Sequence, residues 1–349
     1  MDFSFSEDQQ LFQQSARDFL RTEITPERIR ESWDNASGRS DALWSQLGAL
    51  GLNGILVPEA HDGLGMNEVD FVLLAEECGY VALAEPLVET VLVGVPLLRD
   101  CGNASLAAQW LPRIAAGEAR IAIGLACNPL VADAHVANLL LLQHGEELHA
   151  VPPEAVQLTA NPSLDPSRRL FRVDWQPVAA TLVVAGATGR ALLDAALNRA
   201  ALGAAAQCLG LTQRLVDLSV AYTRDRQQFG QPIGSFQAVQ HLLANVAVKL
   251  DYARAPVHRA AYDIAHGSAR AAVSVSHAKL VACEAALLAA RNSIQVHGAM
   301  GYTWEVDVHI FAKRAWSLDS AWGDRAFHKQ RVADFVLCDG ARIGAAETF

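Results

Sequence analysis

Apolar residues recur at helical spacing from Ser6 to about Gly117 and again from Thr188 to about Leu337, while the interval between them breaks into short apolar runs bounded by turn residues. The runs Ile121-Ala-Ile, Asn138-Leu-Leu-Leu-Leu, Leu148-His-Ala-Val, Leu170-Phe-Arg-Val and Thr181-Leu-Val-Val have the length of strands in a small sheet. Helix-rich, strand-rich and helix-rich segments in that order predict a mostly α protein with a small β middle domain, divided as 1–118, 119–187 and 188–349. In the first segment Leu11, Phe12, Ala16, Phe19 and Leu20 make one apolar stripe, and Ser6 is placed to cap the helix that carries it. Breaks are expected at Val57-Pro58-Glu59 through Gly65, at Ala84-Glu85-Pro86 and at Cys101-Gly102-Asn103, where Pro and Gly interrupt the helical pattern.

With 349 residues, 51% of them hydrophobic, the chain is long enough to bury a large core. A formal charge of -10 with no dense basic cluster argues against nucleic acid as a partner. The acidic opening lacks an apolar signal core, and the run Ala137-Asn-Leu-Leu-Leu-Leu-Gln is far too short to cross a bilayer, so a cytoplasmic protein without a membrane span is expected. Cys78, Cys101, Cys127, Cys208, Cys283 and Cys338 are scattered without a CxxC pair, which points to small buried apolar residues rather than a disulfide framework. His241, His277 and His297 lie in helical patterns without ligand spacing, so no metal site is expected.

Two motifs carry chemistry. The first is Tyr222-Thr-Arg-Asp-Arg226-Gln-Gln228-Phe229-Gly230-Gln-Pro232-Ile233-Gly-Ser-Phe236-Gln237, and the second is Gln295-Val-His-Gly298-Ala-Met-Gly301-Tyr302. A dinucleotide pyrophosphate carries two negative charges, and a planar guanidinium that stays charged, with amide donors beside it, suits such a group. Together with Phe5-Ser-Glu-Asp-Gln9 and the Leu47 to Glu59 segment, these motifs resemble the acyl-CoA dehydrogenases along nearly the whole chain. The resemblance implies an N-terminal helical domain, a β-barrel-like middle domain and a C-terminal four-helix bundle, with FAD as cofactor and α,β-desaturation of an acyl-CoA thioester as activity. It implies that Arg226, Gln228, Phe229, Gln295 and Gly298 contact FAD held mainly by a neighbouring subunit. Ala299 stands where the family has a second glycine. An electron-transfer flavoprotein is the expected electron acceptor.

Desaturation needs a base for the α-proton while hydride leaves the β-carbon. Gap-free counting from Gln295 places the family's glutamate on Trp322, within Ala321-Trp322-Gly323-Asp324. The alternative location of the base, counted from Gly210 to Arg214, falls near Ala200, and Gln207 occupies the site used by some shortened members. Asp319 and Asp324 are the local carboxylates, and Asp307 and His309 suit a helix start better than catalysis. The loop after the first strand, Gly124-Leu-Ala-Cys127-Asn128-Pro129, also departs from the family's Thr-Glu-Pro-x-x-Gly-Ser-Asp. The pattern predicts one member of an unlike pair, and the resemblance implies fatty acid or steroid β-oxidation, since resembling pairs act on bulky acyl-CoAs such as steroid side chains. The alternatives are a self-sufficient homo-oligomer using Asp319 or Asp324, and a cofactor-free scaffold or regulatory subunit.

Overall fold

The computed structural model describes residues 4–341 and 344. In chain order its helices are α1 (Glu7–Glu23), α2 (Pro26–Asp34), α3 (Asp41–Ala49), α4 (Glu68–Tyr80), α5 (Val95–Asp100), α6 (Ala104–Ala115), α7 (Gly186–Asp225), α8 (Gln237–Ala265), α9 (Ala271–His297), α10 (Val308–Ser320) and α11 (Arg325–Val336). The strands are β1 (Ile121–Gly124), β2 (Val131–Ala132), β3 (Leu139–His144), β4 (Glu147–Val151), β5 (Gln157–Asn161), β6 (Leu170–Asp174), β7 (Leu182–Val184), β8 (Gln227–Gln228) and β9 (Gln231–Pro232). The fold is mostly helical with a small sheet region, as the periodicity requires. All five apolar runs coincide with strands, with Asn138 and Thr181 just outside β3 and β7; β2, β5 and the two-residue strands β8 and β9 were not foreseen.

The chain forms two compact units, one from Met1–Pro26, Val72–Leu83 and Ala204–Phe349, the other from Glu27–Phe71 and Ala84–Gly203. In the first unit, α1 starts at a capping box in which Ser6 accepts from Gln9 N and Gln9 Oε1 accepts from Ser6 N. Ala16 and Leu20 are buried, but Leu11 of the expected stripe is exposed. Arg17 of α1 donates to Glu77 Oε1 of α4 at 2.7 Å. Glycines set the approach of α4 to α7: a Cβ on Gly79 would lie 2.1 Å from the Gln207 carbonyl oxygen, and one on Gly210 1.9 Å from that of Glu76.

Helix α9 is the core of the first unit, with Ala278, Ala282, Ala285, Ala286, Ala289 and Ala290 buried. The span Ala271–Tyr302 is long and apolar enough to cross a membrane by length and composition, yet 56% of its most apolar window is buried inside the fold, as suits a core helix.

In the second unit a four-stranded sheet ordered β1-β3-β4-β7 accompanies a three-stranded sheet ordered β2-β6-β5. Ala122, Leu140, Leu142 and Val151 of the first sheet share one buried cluster with Val131, against which Leu158, Phe171 and Val173 of the second sheet pack. Buried Arg39 pairs with Asp133 at 2.5 Å, and Arg120 bridges Asp41 at 2.8 Å and Glu85 at 3.3 Å. Burial pushes the Glu85 carboxyl up, against donation from Ser40 N and the field of Arg120.

Candidate functional site

The two motifs meet where α7 and α9 end. Tyr222 stacks on His297 with ring centroids 4.2 Å apart, and its hydroxyl donates to the His297 carbonyl at 3.4 Å. Higher up the same helices, Ser293 Oγ donates to Leu215 O at 3.2 Å, and Asn292 Nδ2 reaches Leu242 O of α8 at 2.8 Å. These bonds fix the ends of α7, α8 and α9 against one another.

Beyond α7 the chain turns through a short hairpin in which β8 and β9 pair as Gln227 with Pro232 and Gln228 with Gln231. Its turn residues Phe229 and Gly230 have φ of 55° and 77°, and Phe229 is 92% exposed. A left-handed phenylalanine held in water is costly for an isolated chain, in strain and in exposed apolar area. Arg226 and Gln228 are exposed, and the Arg226 guanidinium has no ion pair among the described residues. Beside the hairpin lies a mostly apolar groove of about 350 Å³ lined by Val220, Thr223, Arg224, Pro232, Val239 and Leu243, among others. At the end of α9, Gln295 is exposed, and Gly298 closes the helix at φ +60° with open space where a Cβ would be.

The position assigned to the glutamate is built but not acidic. Trp322 is 3% exposed with φ +59°, followed by Gly323 at +95°. His328 clamps this turn, donating from Nε2 to the Trp322 carbonyl at 3.1 Å, while Nδ1 lies 3.1 Å from Ser276 Oγ. Burial, reinforced by the charge of Lys279, holds the His328 ring well below its ordinary range, at about 4. Asp324 is occupied as the N-cap of α11, accepting from Phe327 N at 2.8 Å. Asp319 is half-buried, and its backbone carbonyl accepts from the buried Lys279 at 3.2 Å.

Asp319, Asp324, Lys279, Cys283 and His328 border a cleft of about 10 Å³, room for one water molecule and not for a thioester. Cys283 Sγ lies there 3.8 Å from Cys208 Sγ. Neither position considered for an alternative base is acidic: Ala200 and Gln207 are both buried on α7. Asp307 precedes α10, and Trp304 packs edge-on to His309 with centroids 4.6 Å apart, a structural arrangement. In the second unit the loop after β1 is held by Ala126 N donating to Gln143 Oε1 at 2.9 Å.

Comparison with known proteins decides the family. Residues 6–118 match the acyl-CoA dehydrogenase N-terminal domain and residues 187–337 the acyl-CoA dehydrogenase C-terminal domain. The chain belongs to the acyl-CoA dehydrogenase family. Acyl-CoA dehydrogenase IpdE2 of Mycolicibacterium smegmatis is 32% identical over 89% of this chain and 93% of its own, and the IpdE2 of Mycobacterium tuberculosis 30% identical over 88% and 91%. Among solved structures, a chain of the ChsE4-ChsE5 complex of Mycobacterium tuberculosis superposes with a TM-score of 0.85 at 23% identity, covering 98% of this chain and all of that one, a likeness of fold. Acyl-CoA dehydrogenases are flavoprotein oxidoreductases with FAD as cofactor.

Proposed function

We propose that this chain is one subunit of an FAD-dependent acyl-CoA dehydrogenase, and that it helps hold FAD seated mainly in an unlike partner that carries the base. The observation that carries the reading is an asymmetry. Dinucleotide-type donors stand ready on the surface at Arg226 and Gln228, whereas a buried indole occupies the position of the base.

The donor set suits an anionic dinucleotide. An unpaired guanidinium supplies two parallel N–H bonds to phosphate oxygens, Phe229 offers a face for an aromatic or apolar group, and Gly298 leaves backbone open for close approach. Gln295 adds a side-chain amide at the end of α9. Bound FAD would supply hydride acceptance; this chain's residues would fix its tail, and removal of the α-proton would fall to the partner, because an indole accepts none. The named relatives favour an acyl-CoA substrate, and the ChsE4-ChsE5 neighbour is itself a complex of two differently named chains. Transfer of electrons onward to an electron-transfer flavoprotein belongs to the same reading.

Native mass and flavin content distinguish the outcomes. Expressed with an acyl-CoA dehydrogenase-like partner, the chain is expected in a yellow hetero-oligomer that turns over acyl-CoA, and alone it is expected to be colourless and inactive. A lone chain with a full complement of FAD and acyl-CoA turnover overturns the proposal.

A further inference from the structure

Strands β3 and β4 are joined by the two-residue turn Gly145-Glu146, with Gly145 at φ +58°. The register sets His144 opposite Glu147 and Leu142 opposite His149. Side chains alternate along a strand, so Glu147 and His149 share one face and His144, directly across from Glu147, shares it too. A register shift between β4 and β7 at Leu148/His149 further sets the aim of the His149 ring.

One donor atom from each of the three residues lies within 4.8 Å of the others. Glu147 Oε2 is 3.4 Å from His144 Nδ1 and 3.1 Å from His149 Nε2. Donors at about 2.0–2.2 Å from a tetrahedral zinc are about 3.3–3.5 Å apart, so both edges through Glu147 already have nearly the required length. The remaining edge closes by rotation of His144, whose side chain is 60% exposed and moves at little cost.

The hydrogen bonds of His149 are compatible with metal ligation. Thr181 Oγ1 lies 3.0 Å from both His149 Nδ1 and the Val178 carbonyl, so it can accept from Nδ1–H while donating to Val178. The other ring nitrogen then turns its lone pair toward a carboxylate oxygen. In that tautomer a bound cation satisfies both acceptors. An imidazole whose far N–H is held by an oxygen acceptor is also how metal-bound histidines are oriented. His149 is only 2% exposed, and Trp175 packs edge-on to it with centroids 5.1 Å apart, so this ligand is fixed before any ion arrives.

We propose that His144, Glu147 and His149 form a binding site for one divalent transition-metal ion that clamps the β3–β4 hairpin. Two imidazoles and one carboxylate favour Zn²⁺, Ni²⁺ or Cu²⁺ over Mg²⁺ or Ca²⁺, which prefer all-oxygen sets. Solvent reaches the exposed side of the cluster and fills the remaining positions.

The test uses the tag-free full chain, with its partner if it requires one, stripped with EDTA and titrated with Zn²⁺ by calorimetry and with Co²⁺ by visible spectroscopy. The expected result is one ion per chain, a raised Tm, and a Co²⁺ spectrum without the near-ultraviolet thiolate band that the cysteines would give. Glu147→Gln and His144→Ala, both at solvent-accessible positions and verified as folded by circular dichroism, should each weaken uptake about 10-fold or more. Absence of saturable Zn²⁺ uptake, uptake unchanged in both variants, or a thiolate-type Co²⁺ spectrum overturns the proposal.

Discussion

The chemical departure of this chain rests on single residues. Trp322, where gap-free counting from Gln295 places the family's glutamate, occupies a left-handed position next to Gly323 and is held by His328. Asp324 offers a clean test, because Asn caps a helix about as well as Asp but accepts no proton. Asp324→Asn should leave both stability and substrate-dependent flavin bleaching of the complex unchanged, while Asp324→Ala should cost about 1 kcal/mol with activity retained. Loss of bleaching in Asp324→Asn would restore the self-sufficient reading. Arg226 is the complementary position: Arg226→Ala should lower the flavin retained by the complex about 10-fold or more, and Arg226→Lys should recover only part of it, because an ammonium cannot donate in a planar fork. Equal flavin content in all three proteins rejects the assigned role. The motifs that carry these residues were legible in the sequence because motif spacing does not depend on the fold. The His144, Glu147 and His149 cluster was not, since it depends on a tight turn placing residues on two strands face to face; Gly145 between two apolar runs was the available signal.

Helices and strands show why some elements read easily. The five runs announced themselves through apolar composition, whereas β5, Gln157 to Asn161, is mostly exposed and polar and β2 pairs over only two residues. Neither produces an apolar period to detect. The contact between α4 and α7 was equally hidden, because its determinants are glycines whose meaning lies in the opposing backbone. Gly210→Ala would drive a Cβ to 1.9 Å from the Glu76 oxygen and 2.5 Å from Tyr80 N, atoms that cannot rotate away. It should destabilise by about 1–3 kcal/mol or more, against about 1 kcal/mol for Gly102→Ala, where φ is +77° but the space is open. Equal denaturant midpoints for the two variants would refute the close-packing account. The anchoring of α11 is pH-sensitive. The fold holds His328 neutral down to about 4, so as pH falls the unfolded chain takes up the proton first. The stability from this ring is fully present above about pH 6.5 and is lost between about 6.5 and 4, by about 3 kcal/mol. Burial lowers His277 and His297 in the same direction. Denaturant midpoints across that window should fall, and His328→Gln should show a lower midpoint at neutral pH with a shallower slope.

At the scale of the whole molecule, family membership and mixed architecture were readable because helical and strand periodicities occupy long separate spans. The compact units gather segments distant in sequence: Met1–Pro26, Val72–Leu83 and Ala204–Phe349 lie far apart in the chain yet fall in one unit. The surface also bears on assembly. Phe229, Tyr252 and Tyr302 are exposed aromatics within the first unit, and two of them belong to the motifs assigned to FAD contact. Exposed aromatic residues, one of them in the same turn as an arginine without an ion pair among the described residues, resemble the anchors of a subunit interface more than a monomer surface. If the partner alone supplies the flavin-ring pocket, cofactor stoichiometry must be unequal: a complex of two unlike chains should contain about one FAD for each pair of chains, whereas a self-sufficient homo-oligomer contains one per chain. Flavin released by denaturation and measured against chain mass separates the two. One FAD per chain would mean that this chain builds a ring pocket of its own, and the division of labour between grip and base would then fail.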